Sequence, residues 1–170
     1  MKRLIEEAFP VAFPCLETHN DTCFGVIDPL GNKKCFVSTS PDETAHFKVL
    51  NPSAKQIHFL AIDHCLASSS DPQRCDFALF DEVTFCFVEI KETNRPQQRA
   101  KHRQRAKEQL LETIQWFQTK IDFSEKSVEA HLCVGRLSPR PKLASQDAAA
   151  VLRFAILGVI LYDDNEQTFE

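Results

Sequence analysis

Asp76, Glu89 and Lys91 are the residues whose types and spacing could do chemistry. Asp76 opens one apolar run, residues 74–80, and Glu89 and Lys91 close the next, residues 84–91. A short acidic turn, Asp81-Glu82-Val83, joins the two runs. Side chains alternate across a strand, so Glu89 and Lys91 share one face while Cys86, Val88 and Ile90 take the other. A core strand needs neither a carboxylate nor an ammonium at its end. With Asp76 on the neighbouring strand, the three groups can converge. Two carboxylates and a lysine are suited to holding a divalent cation and a water beside a phosphate. A Glu-x-Lys pair by itself is more often a solvated salt bridge worth little. The apolar run 85–88 leading into this one, and Asp63 one strand earlier, set it apart.

The elements that must position these groups follow from periodicity. Residues 1–9 read as a short amphipathic helix ended by Pro10 and Pro14. Residues 23–27 and 34–38 read as strands joined by a hairpin turn over 28–32, within a stretch, 15–35, that is rich in turn formers. Residues 46–50 are strand-like. Residues 56–63 alternate with both faces mostly apolar, which predicts a central strand carrying Asp63 at its end. A polar loop over 67–73 follows. The segment 47–87 then predicts an antiparallel meander in a single sheet. Residues 97–121 carry Ala106, Leu110, Ile114, Phe117 and Ile121 in one apolar stripe and predict a long helix. Residues 127–134 predict a strand after a βαβ-like crossover. Ser145-Gln146-Asp147 is a candidate cap for a helix over 146–152. Residues 154–162 read as a last strand, and the acidic tail 163–170 as frayed.

The 170 residues form one domain with a real core, to which 14 Phe supply much of the volume. A net charge of −4 argues against binding polyanions by bulk charge. The exception is local. Lys91, Arg95, Arg99, Lys101, Arg103, Arg105 and Lys107 crowd the start of the long helix, beside the carboxylates, where a phosphate backbone would pass. Only four Gly are present, with no phosphate-cradling loop, so nucleotide-driven chemistry is not expected. The seven cysteines include no C-x-x-C, the start of the chain reads as no secretory leader, and the longest apolar run, near 154–161, is too short for a membrane. These features lead to the expectation of a cytoplasmic protein with free, mostly buried thiols. His58, His64, Cys65 and Cys75 match no closed zinc motif, and Cys65 with Cys75 is a candidate redox pair. His46 and His131 read as lone strand histidines.

The order of acid, strand, Glu-x-Lys and helix resembles the PD-(D/E)XK, or restriction-endonuclease-like, nuclease superfamily over about residues 45–135. A closer likeness is to a group of small bacterial proteins of unassigned activity within it. That likeness rests on Ile62-Asp63-His64-Cys65-Leu66, Cys75-Asp76-Phe77, Phe87-Val88-Glu89-Ile90-Lys91 and Ala106-Lys107-Glu108-Gln109-Leu110. Cys75 stands where the superfamily motif has proline. The resemblance implies an α/β (α+β) fold, a central mixed β-sheet flanked by helices. It implies a Mg²⁺- or Mn²⁺-dependent nuclease with Asp76, Glu89, the Ile90 backbone carbonyl and Asp63 as metal ligands. Lys91 would orient a water or offset phosphate charge, and Gln109 would hydrogen-bond near either. Arg95, Arg99, Lys101, Arg103 and Arg105 would contact DNA or RNA. The alternative is a catalytically inactive binding or interaction protein on that scaffold, from a bacterial defence, toxin–antitoxin or mobile-element system. The small size makes a homodimer or a protein partner plausible.

Overall fold

The computed structural model describes residues 1–29, 33–39, 45–67, 74–93, 95–135 and 145–170. In chain order, helix α1 (Lys2–Ala8) leads through a 3-10 segment, Pro10–Cys15, into β1 (Leu16–His19) and β2 (Cys23–Ile27). Then come β3 (Phe36–Ser38), β4 (Phe47–Leu50), β5 (Ile57–Ala61), β6 (Phe77–Phe80) and β7 (Thr84–Lys91). Helix α2 (Arg99–Gln118), β8 (Ser127–Val134), α3 (Ala148–Ile156), β9 (Val159–Tyr162) and β10 (Glu166–Thr168) complete the described elements.

The strands form two sheets. The larger has the order β1-β5-β6-β7-β8-β9, antiparallel through β7 and parallel from β7 to β9. The smaller has the order β10-β4-β2-β3. The expected α/β fold with a central mixed sheet flanked by helices is therefore present, with a second sheet added. The meander expected over 47–87 is corrected: β5, β6 and β7 form it, whereas β4 pairs with β2 and β10 in the smaller sheet. A short apolar strand looks the same whichever sheet it joins. β1 lies in the stretch read as turns and forms the edge beside β5.

Aromatic packing makes the layers. Phe87 and Phe85 face α2, where Phe117 meets their rings at 5.2 and 6.0 Å. On the other face Phe77 of β6 meets Phe47 of the smaller sheet at 5.7 Å. Each buried Phe contributes roughly 1.5–3 kcal/mol by leaving water. The helical stripe behaves as expected, with Ala106, Leu110, Ile114, Phe117 and Ile121 all buried. α2 carries the parallel crossover from β7 to β8, so both strands end on the same side of the sheet.

Three further boundaries differ from expectation. Residues 154–156 belong to α3, which Asp147 caps by accepting from the Ala150 N–H at 3.0 Å, and the last strand of the large sheet is only β9. The tail is not frayed: β10 pairs in parallel with β4, and Asp164, Asn165, Gln167 and Phe169 are buried. A charged composition hides a strand that pairs through its backbone. The thiols are not all free either. Cys15 and Cys65 form a disulfide with Cα atoms 5.7 Å apart, so Cys65 does not pair with Cys75, which is a buried free thiol. Fifty positions separate the two bonded cysteines, a separation that spacing cannot bridge without the fold. The loop 68–73 and the turn residues 30–32 lie outside the described residues. Among the described residues, no helix is long and apolar enough to cross a membrane.

Candidate active site

The site forms where β7 outruns β6. The β6–β7 ladder ends at the Phe77–Val88 pair, and the chain before Phe77 bends away. That bend holds Asp76. Its carboxylate accepts the Ile90 N–H at 2.5 Å, while its own N–H donates to the Val88 carbonyl at 3.2 Å. A strand residue points its N–H and C=O to the same side. The Ile90 carbonyl is therefore directed past the end of β6, toward Asp76.

Glu89 and Lys91 share one face, as alternation requires, and form an ion pair. Glu89 is wholly buried, and its Oε2 has no hydrogen-bond partner among the described residues. Burial, together with the nearby Asp76, pushes the Glu89 carboxyl well above the ordinary range. Burial also pushes Asp76 up, to about 7, with Asp28 and Asp63 adding to the shift and Lys91 and the Ile90 N–H opposing it. Burial disfavours the Lys91 ammonium, but Glu89 and Asp76 outweigh it and hold the lysine charged. Contact with Lys91 favours charge on Glu89, so the two carboxyls act as one coupled pair that keeps a proton unusually long.

Asp63 is placed differently from expectation. β5 ends at Ala61, and Asp63 lies in a wide turn closed by the Ala67 N–H donating to the Ile62 carbonyl at 2.9 Å. The N–H groups of Ile62 and Asp63 both donate to the Asp76 carbonyl, at 2.9 and 3.2 Å, which ties this turn to the site. His64 follows with a left-handed φ of 58° and donates its own N–H to Asp63 Oδ1 at 3.0 Å. Such backbone is uncommon for a residue with a side chain and is held by its surroundings. The disulfide to Cys15 anchors the same turn.

Asp76, Lys91, Asp63 and His64 line a cleft of about 220 Å³ together with Asp28, Lys33 and Cys35 from the β2–β3 connection of the smaller sheet. Glu89 lies beneath this cleft rather than on its wall. The contribution of the smaller sheet was not expected. Asp28 read as an ordinary turn residue and Lys33 was not singled out, and only the second sheet brings them to Asp76.

Gln109 does not reach Lys91 or the cleft. It is buried, and its Nε2 donates to the Arg74 carbonyl at 2.9 Å. Thr113, one turn on, accepts the Cys75 N–H at 2.8 Å and donates to the Gln109 carbonyl at 2.7 Å. The two α2 side chains thus hold the backbone that presents Asp76. The basic run is divided. Arg95, Lys101 and Arg105 are exposed, and Arg105 acts electrostatically on Lys91. Arg103 is bound to Asp163, Lys107 to Asp147, and Arg99 has a buried Nε. Arg103 is therefore partly neutralised by an acid from the tail.

A divalent cation fits these residues on two observations. One is the buried Glu89 Oε2, without a hydrogen-bond partner among the described residues, and the other is a set of carboxyls whose negative charge is held off by burial and mutual repulsion. A cation would supply both a partner and the missing positive charge. A scan against protein-family models, a search of curated proteins and a search of solved structures each found no match to this chain.

Proposed function

We propose that the chain is a metal-dependent nuclease that hydrolyses phosphodiesters of DNA or RNA at the cleft beside Asp76 and Lys91. The observation that carries this reading is the convergence of Asp76, Glu89 and Lys91 at the end of β7, under a carbonyl directed at the same point. Asp76, Glu89, the Ile90 carbonyl and Asp63 would hold Mg²⁺ or Mn²⁺. When bound, that ion supplies acidification of a water and charge for the phosphate. Lys91 lines the cleft with its ammonium held charged, so it can orient a water or neutralise phosphate oxygens. Asp28 and Asp63 add carboxyl oxygens to the cleft. Arg95, Lys101 and Arg105, exposed at the start of α2, offer the positive surface along which a nucleic-acid backbone is drawn to the site. A cytoplasmic setting goes with this substrate, and the Cys15–Cys65 bond would have to form there against a reducing poise.

A second reading, an inactive nucleic-acid- or protein-binding relative of such nucleases, is favoured by one feature: Glu89 is buried in contact with Lys91 rather than open to the cleft. Cleavage decides between the two. Plasmid DNA and RNA incubated with the full chain and Mn²⁺ should be cut, and the protein's melting temperature should rise with Mn²⁺. Glu89→Gln and Lys91→Ala should each slow cutting about 100-fold or more, the scale of losing one preorganised electrostatic group. No cutting and no Mn²⁺-dependent shift in melting would sink the nuclease reading.

A further inference from the structure

The face of the large sheet that meets the small one buries side chains that sheet packing does not require. Cys86 on β7 sits beside Glu129 on β8, and His131 lies two residues further along the same face. All three are buried, and their ligand atoms lie within 4.8 Å of one another. Glu129 Oε2 is 3.6 Å from Cys86 Sγ and 3.5 Å from His131 Nε2. Ordinary zinc bond lengths at a tetrahedral angle give edges of about 3.5 Å for sulfur to oxygen and about 3.3 Å for nitrogen to oxygen. The atoms therefore already stand nearly where such an ion would hold them.

The histidine is also prepared as a ligand. Its Nδ1 meets Asp164 Oδ1 at 2.6 Å, the carboxylate partner that sets ring orientation in metal-bound histidines. The other nitrogen, Nε2, is buried without a hydrogen-bond partner among the described residues and faces Glu129. The ring is fixed by Tyr162, stacked at 5.2 Å, and by Phe47, edge-on at 5.4 Å.

We propose that Cys86, Glu129 and His131 bind a zinc-type transition-metal ion, with Asp164 as a positioning residue. One thiolate, one imidazole and one carboxylate suit zinc or cobalt, and the sulfur disfavours magnesium or calcium. Without the ion, burial disfavours charge on His131, but Asp164 and Glu129 outweigh it and raise its pKa. The site is separate from the cleft and would lock β7 to β8 from behind.

Cobalt(II) reports such a site directly. Metal-free full-length protein titrated with Co²⁺ should develop a thiolate-to-cobalt charge-transfer band saturating at one equivalent, and Zn²⁺ should abolish it. Cys86→Ala should remove the band. Asp164→Asn should keep it but weaken cobalt affinity about 10- to 100-fold. Glu89→Gln, which touches none of these ligands, should leave it unchanged. The proposal is overturned if the unsubstituted protein shows no thiolate band, or if the band survives Cys86→Ala or disappears with Glu89→Gln. The first of these needs no variant to fold.

Discussion

At the residue scale, burial sets how Asp76 titrates. Its carboxyl is raised from 3.8 to about 7. Between about pH 4 and pH 7 the folded protein holds a proton that the unfolded chain has released. Folding stability therefore falls as pH rises through that window, by up to about 1.4 kcal/mol per pH unit, and the contribution is fully present only below it. Asp76→Asn should flatten this slope in urea denaturation followed from pH 4 to pH 8. A divalent cation must displace the same proton, so Mn²⁺ affinity in the unsubstituted protein should rise across the window, with proton uptake by the buffer visible in calorimetry. A pH-independent Mn²⁺ affinity would remove Asp76 from the ligand set. That Asp76, Glu89 and Lys91 lie close together was legible in the sequence, because alternation puts Glu89 and Lys91 on one face at the end of a strand beside the one that Asp76 precedes. Glu129 and His131, an acid and a histidine two apart on the apolar strand 127–134, carried a comparable signal, yet His131 read as a lone strand histidine. It was not legible that they meet Cys86 and Asp164, since parallel pairing and a distant tail create that cluster.

At the scale of elements, α2 explains why an acid in a bend can be held accurately. β7 and β8 were legible to the residue, and α2 to within three residues at either end. Each is long, and in each the burial pattern agrees with its period: both faces of β7 and β8, one stripe of α2. The role of Gln109 was not legible, because a polar residue at the margin of a stripe reads the same whether it faces a ligand or a neighbouring loop. The structure gives it the Arg74 carbonyl and gives Thr113 the Cys75 N–H. Thr113→Val keeps the side chain's volume and removes that acceptor. A buried N–H is then unpaired, which should cost about 1–3 kcal/mol in urea unfolding. Because Cys75 precedes Asp76 directly, the variant should also bind Mn²⁺ more weakly than the unsubstituted protein. Thr113→Ser, which restores the hydroxyl, should recover the affinity. Unchanged affinity in the valine variant would mean that β7 alone positions Asp76.

At the scale of the whole molecule, the tail decides how the two sheets are joined. The stretch 45–135 contains the strands that carry the candidate site, yet the cleft also needs Asp28 and Lys33 from the small sheet. That sheet is tied to the large one through the chain after β9. Asn165 accepts the Lys48 N–H at 2.9 Å and donates to the His46 carbonyl at 3.2 Å. Phe169, almost fully buried, donates its N–H to the Leu50 carbonyl at 2.9 Å. Asp163 holds Arg103 of α2, and Asp164 holds His131 of β8. Eight residues thus contact both sheets and the helix, which an acidic, turn-rich composition conceals. Loss of a buried Phe alone costs about 3–5 kcal/mol, a large share of the roughly 5–15 kcal/mol that stabilises a domain. Deleting residues 163–170 removes that Phe together with β10 and the partners of Arg103 and His131. The shortened chain should lose its near-ultraviolet circular dichroism, bind a hydrophobic dye and show no cooperative melt. Phe169→Ala, a milder change, should stay folded with a clearly lower melting temperature. A deletion variant that melts cooperatively within a few degrees of the full chain would show that the sheets hold together through Phe47 and Phe77 alone, and that the tail only covers them.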